Sequence, residues 1–146
     1  MQKLNLPSYP IKLKRENDKT LVLDPIRKRY IVNTPEEWVR QNFIQFLIQE
    51  KGYPASLMAV EKGIVVGKTK KRCDIVLYDN KGIAKMIVEC KAPSINISQD
   101  TFDQIARYNM TLNTDLLIVT NGMHHYTCKM DHENQRYQFL KEIPNY

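Results

Sequence analysis

Short unbroken apolar runs alternate along this chain with two stretches of helical spacing. Cys73-Asp74-Ile75-Val76-Leu77-Tyr78 and Met86-Ile87-Val88-Glu89-Cys90-Lys91 are too short and too continuous for helices and read as adjacent buried strands. Asp79-Asn80-Lys81-Gly82 between them has the composition of a hairpin turn. Upstream, Thr34 suits a helix N-cap, Pro35 the first helical position and Glu37 the return partner of a capping box. Trp38, Phe43, Phe46, Leu47 and Ile48 then recur near helical spacing until Gly52 and Pro54 stop the helix. Leu57 to Val66 predicts a strand, and Gly67 to Arg72 a basic turn. A second helix is expected from Ser98 or Gln99 to Leu112, capped by Ser98 or Asp100 and carrying Phe102, Ile105 and Ala106. Leu116 to Val119 predicts a further strand, Asn121-Gly122 a turn, and Tyr126 to Met130 and Tyr137 to Leu140 the last strands.

Residues 1–33 are broken by proline and charge. Ile11 to Lys14 and Leu21 to Leu23 predict a short strand pair, and Tyr30-Ile31-Val32 leads into the first helix. The order is therefore helix, three strands, helix, strand, with extra strands at both ends. That is an α/β fold with a mixed sheet flanked by helices. A single domain over residues 1–146 is expected, with 1–33 as an N-terminal strand extension and 34–130 as the core.

Composition narrows the class. A hydrophobic content of 42% and a charged content of 26% are ordinary for a soluble globular domain. The net charge of +6 favours an anionic partner. An odd cysteine count with no C-x-x-C pair argues against a disulfide framework or zinc ribbon, and Cys73, Cys90 and Cys128 read as core thiols. The start of the chain has no apolar signal core and no stretch has membrane-spanning length, so a cytoplasmic setting is expected.

The chemistry concentrates on the two central strands. Buried strands rarely carry charge unless it is paired or holds a metal. Here one strand opens with Asp74 and the other ends with Glu89 and Lys91, which point the same way while Cys90 points into the opposite layer. Phosphodiester hydrolysis needs a divalent cation, an activated water and stabilisation of the charged transition state. Mg2+ or Mn2+ takes oxygen ligands, which Asp74, Glu89 and the backbone carbonyl of Cys90 supply, and Lys91 is placed to serve the water or the developing charge. The competing reading puts Asp74 at a solvent edge and makes Glu89–Lys91 an exposed ion pair of little energetic weight.

These residues resemble the PD-(D/E)xK nuclease superfamily, with Cys73 standing where the eponymous proline would be. More narrowly, four stretches resemble the N-terminal nuclease domain of type I restriction enzyme R subunits. They are Thr34-Pro35-Glu36-Glu37-Trp38-Val39-Arg40-Gln41, Lys71-Arg72-Cys73-Asp74-Ile75-Val76, Val88-Glu89-Cys90-Lys91-Ala92-Pro93 and Leu117-Ile118-Val119-Thr120-Asn121-Gly122. The resemblance runs from about residue 30 to 125 and implies a restriction-endonuclease-like core and Mg2+-dependent DNA cleavage. It makes Asp74 and Glu89 metal ligands and Lys91 the catalytic lysine. It also draws attention to Gln104 and Tyr108, which resemble a Q-x-x-x-Y element and share a helical face with four-residue spacing. Glu37 is a further acidic ligand in this reading, although its capping-box position explains it equally well.

Lys70, Lys71 and Arg72, together with Arg107 and Tyr108, are candidate DNA contacts; a merely solvated turn is the alternative for the first three. Gly63-Ile64-Val65-Val66-Gly67-Lys68-Thr69 is no phosphate-binding loop, having three residues between its glycines where four are required. His124, His125 and His132 have no metal-ligand spacing. No motor is encoded in these residues, so translocation would belong to other restriction-system subunits. The competing function is a catalytically silent nucleic-acid-binding or assembly module.

Overall fold

In a computed structural model describing residues 1–146, both helices form where their caps predict. Helix α1 (Pro35–Gln49) starts at Thr34, whose hydroxyl accepts from the Glu37 backbone N–H at 3.1 Å, with Pro35 in the first turn. Helix α2 (Gln99–Met110) starts at Ser98, whose hydroxyl accepts from the Thr101 N–H at 3.1 Å. Gly52, at φ +77°, ends the first helical segment in a conformation that a side chain would strain.

Three N-terminal strands, β1 (Leu13–Glu16), β2 (Lys19–Asp24) and β3 (Arg29–Val32), form an antiparallel sheet of their own. This differs from the expected strand pair: Tyr30-Ile31-Val32 pairs with β2 before the chain enters α1, and the extension does not join the central sheet. The central sheet has six strands in sequential spatial order: β4 (Met58–Val66), β5 (Thr69–Tyr78), β6 (Ala84–Cys90), β7 (Leu116–Thr120), β8 (His125–Asp131) and β9 (Arg136–Leu140). All neighbours are antiparallel except β6 and β7, which run parallel because α2 carries the chain across one face. The sheet continues past residue 130, where the sequence reading ended the core.

The segment expected to be a basic turn, Gly67 to Arg72, is mostly strand. Only Gly67 and Lys68 turn, and Thr69 to Arg72 pair with Val66 to Gly63 in a long β4–β5 hairpin. Tertiary pairing overrides the charged composition there.

Apolar residues fill both faces of the sheet. Val39, Phe43, Ile44 and Leu47 of α1 pack with Ile75, Leu77, Met86, Val88 and Ile118. Phe102, Ala106 and Met110 of α2, four residues apart, pack on the other face with Val76, Ile87, Leu117, Val119 and Cys128. Burial on both faces explains why β6 reads as one continuous apolar run. Each fully buried large side chain, such as Phe43 or Ile87, contributes about 1.5–3 kcal/mol of transfer free energy. No helix is long and apolar enough to cross a membrane.

Candidate active site

Asp74 lies where β5, β6 and α1 meet. Its Oδ1 accepts from Arg40 Nη2 at 2.8 Å, and its Oδ2 accepts from the backbone N–H of Cys90 at 2.7 Å. The second bond ties the carboxylate to the residue that follows Glu89. Strand alternation breaks at this point: Cys73 packs in the α2 layer while Ile75, two residues on, packs in the α1 layer. That break lets one β5 side chain reach a helix on one side of the sheet and the end of a neighbouring strand.

Glu61 on β4 completes the cluster. Its φ is +55°, left-handed for a residue with a side chain, and it sits between the ladder pairs Val60–Ile75 and Lys62–Cys73. Such a conformation costs about 1–3 kcal/mol and persists only where surrounding contacts hold it. Here the contacts are Arg40 Nη2 and Arg72 Nε, each 2.7 Å from a Glu61 carboxylate oxygen.

Glu89 is buried and ion-paired with Lys71, which approaches from β5. Burial pushes its carboxyl above the ordinary glutamate range. The Lys71 ammonium opposes that rise, and the nearby Asp74 charge adds to it. The Lys71 ammonium also lies 5.2 Å from the ring centroid of Tyr108, whose hydroxyl donates to the Lys70 carbonyl at 3.3 Å. Lys91, half-buried, follows β6, and its backbone N–H donates to the Thr120 carbonyl at 2.8 Å. Its side-chain charge lowers the carboxyl pKa of both Glu89 and Glu36. Arg40 and Lys71 are each committed to carboxylates here, whereas the Lys91 ammonium has none within ion-pair distance.

The structure redirects the reading of the first helix. Glu37 is buried, and its carboxylate accepts from Arg27 Nη2 at 3.0 Å, Arg40 Nη1 at 2.6 Å and Gln41 Nε2 at 3.0 Å. Those donors engage both of its oxygens away from Asp74, which argues against the metal-ligand reading. Nor does its carboxylate close the capping box; only the Thr34 half of that motif forms. Glu36 is instead the helix acid that shares a field with Asp74, Lys91 and Glu61. Its carboxyl is pushed up by burial first and by the Asp74 charge second. Glu36 and Arg40 are four residues apart, which puts both on one helix face but makes no recognisable motif.

Behind Glu37 stands Asp24, fully buried at the end of β2. It accepts from Arg27 Nε at 2.6 Å, from the Arg27 backbone N–H at 2.9 Å and from Gln41 Nε2 at 2.9 Å. Burial alone would raise its carboxyl pKa, but these hydrogen bonds hold it below the ordinary range. A continuous polar chain thus runs from the N-terminal sheet through Arg27, Glu37 and Arg40 to Asp74.

The other candidates are less concentrated. Gln104 and Arg107 are exposed on α2, with Gln104 making no hydrogen bond to Asp74 or Glu89. Lys70 is exposed, while Arg72 gives its Nε to Glu61 and keeps a side chain that is 71% exposed. The Cys90 thiol is held well above its ordinary pKa by burial and packs in the α1 layer, so it is unreactive. No three His, Cys, Asp or Glu side chains stand close enough to cage a metal. The candidate donors are the carboxylates of Asp74 and Glu89, each already held by a cation, and a main-chain carbonyl, all hard oxygens. That set suits Mg2+, which keeps several of its waters, and not a metal needing a closed cage.

A family model described as "Type I restriction enzyme R protein N terminus (HSDR_N)" matches residues 35–144. A solved structure described as a fragment of an HsdR subunit of a type I restriction enzyme from Vibrio vulnificus YJ016 is similar at 19% identity and a TM-score of 0.49. That similarity covers 70% of this chain and 22% of the other, so the chain spans under a quarter of that protein's length. No curated protein matches. The family match covers most of the chain, and the chain belongs to the family of type I restriction enzyme R protein N-terminal domains.

Proposed function

We propose that this domain is a metal-dependent DNA endonuclease of the PD-(D/E)xK type. The observation that supports it best is the bond from the Cys90 backbone N–H to the Asp74 carboxylate, which sets Asp74 beside the end of β6 that carries Glu89 and leads into Lys91, whose ammonium is in no ion pair. Asp74, Glu89 and the Cys90 carbonyl would hold Mg2+ or Mn2+, which when bound supplies Lewis-acid polarisation of a phosphate and an acidified water. The chain's own residues do the rest. Arg40 and the Cys90 N–H fix the orientation of the Asp74 carboxylate. Lys91, beside Glu89, orients the water or neutralises negative charge on the phosphate oxygens. Glu36 and Tyr108 border the site.

The test is nicking of plasmid DNA with Mg2+ or Mn2+. Cleavage by the parent and its loss in Lys91→Ala, with an unchanged circular dichroism spectrum, supports catalysis by this site. Cleavage that persists in Lys91→Ala sinks it.

One observation favours a second reading, the catalytically silent DNA-binding or assembly module. Arg40 and Lys71 already neutralise Asp74 and Glu89. Salt-sensitive DNA binding, with no cutting and no divalent-ion binding, would support that reading.

A further inference from the structure

Positive charge is distributed very unevenly along the chain. Residues 1–33 hold eight of the 22 lysines and arginines but three of the 16 acids, so this segment carries +5 of the net +6. The matched family stretch begins at Pro35, leaving the N-terminal sheet outside it.

We propose that the outer face of the N-terminal sheet binds the phosphate backbone of DNA, independently of sequence and separately from the acidic site. Pairing across the strands fixes which residues share that face. Lys14 stands opposite Leu21, which stands opposite Val32; two residues along, Leu23 bonds to Lys12 and stands opposite Tyr30. Lys12, Lys14, Lys19 and Tyr30 are all exposed. The Lys14 ammonium lies 4.1 Å from the Tyr30 ring centroid. The ammonium occupies one face of the exposed ring, which holds the cation in place. The opposite face carries Val22 and Asp24, both without exposed surface, and is closed by the Arg27–Glu37 and Asp24–Gln41 contacts to α1.

Charge decides the partner. Alternate residues of a strand lie about 7 Å apart, so Lys12 and Lys14 are spaced to meet neighbouring phosphates along one strand of a duplex. Glu16, 3.3 Å from Lys14, is the one acid paired into the face, and Asp18 lies in the turn beyond it. The exposed apolar groups nearby, Leu13 and Val32, stand opposite residues on different faces and make no broad apolar patch for an acyl surface. This inference shares only the ligand with the nuclease reading and stands whether or not the acidic site cuts.

The experiment measures binding of a short fluorescent duplex to the full chain in EDTA, across a salt series. Lys12→Ala/Lys14→Ala/Lys19→Ala is compared with Lys81→Ala/Lys129→Ala/Lys141→Ala, which removes equal charge from exposed positions elsewhere. The first triple is expected to bind at least about tenfold more weakly, with a salt slope shallower by about 3, and the second within about twofold of the parent. Working in EDTA, where no divalent ion supports cleavage, separates this surface from the catalytic reading. Equal weakening by both triples, parental binding by the first, or no duplex binding by the parent overturns the proposal. So does lysine-dependent capture of anionic phosphatidylserine vesicles without duplex binding.

Discussion

Arg40 and Asp74, 34 positions apart in sequence, are joined by a 2.8 Å hydrogen bond through a nitrogen that also reaches Glu61 at 2.7 Å. One buried guanidinium thus orders acids from α1, β4 and β5. Arg40→Ala leaves three carboxylates around a vacated, poorly solvated position, and breaking a buried ion network in this way costs roughly 3–5 kcal/mol. Arg72→Ala removes an exposed partner of the same Glu61 and is expected to cost under about 1 kcal/mol. Urea denaturation of both variants checks the contrast.

Lys71 holds Glu89 in reserve. Lys71→Met removes the cation that opposes burial, so the Glu89 carboxyl moves further above its ordinary range. An unpaired buried carboxylate is also a stronger ligand for a divalent ion. Calorimetric titration with Mn2+ is therefore expected to show tighter binding than the parent at alkaline pH and a steeper loss on acidification. Unchanged affinity would remove Glu89 from the ligand set.

Much of this was legible in the chain, and the misses share a cause. Caps at Thr34 and Ser98 and the apolar runs of β5, β6 and β7 depend on neighbours in sequence, so their elements fall close to where the pattern places them. Asp74, Glu89 and Lys91 stood out because charge interrupts apolar strands. Arg27 and Arg40 did not, and Lys71 read as a DNA contact where the structure pairs it with Glu89, since a basic residue on a helix or in a charged run shows no partner until tertiary contacts are known. Glu37 drew attention through a local motif, while its carboxylate is engaged by Arg27 from a segment ten residues upstream. Glu36, its neighbour, carried no motif at all.

His125 sets a pH-dependent stability. Its Nε2 is 2.9 Å from the Asn5 carbonyl and its Nδ1 2.7 Å from the Thr120 hydroxyl, which suits the neutral ring protonated at Nε2. Burial pushes its pKa below the ordinary histidine value. The unfolded chain therefore binds the extra proton first as pH falls. Stability is complete above the ordinary histidine pKa and declines as pH drops from there through the folded value. His125→Gln is expected to flatten that decline in denaturation midpoints measured from neutral to mildly acidic pH.

Gly122 is sterically required. Its φ is +84°, and a Cβ built there would lie 2.8 Å from Leu4 Cδ2 and 3.1 Å from Val39 Cγ2. Gly122→Ala is expected to destabilise the fold by about 1–3 kcal/mol from backbone strain, with the clash adding to it. A lowered thermal midpoint with retained secondary structure is the expected readout.

The polar chain from Asp24 through Arg27 to Glu37 has a consequence for where this protein can be cut. A polypeptide trimmed to begin at Thr34 would retain every helix and strand of the larger sheet but take Arg27 from Glu37 and Asp24 from Gln41. It would also lose Leu4 from the interior and the Asn5 acceptor for His125. The residues that pack together therefore extend beyond the stretch the family model matches, and the amino-terminal segment belongs to the architecture that keeps Asp74 in place.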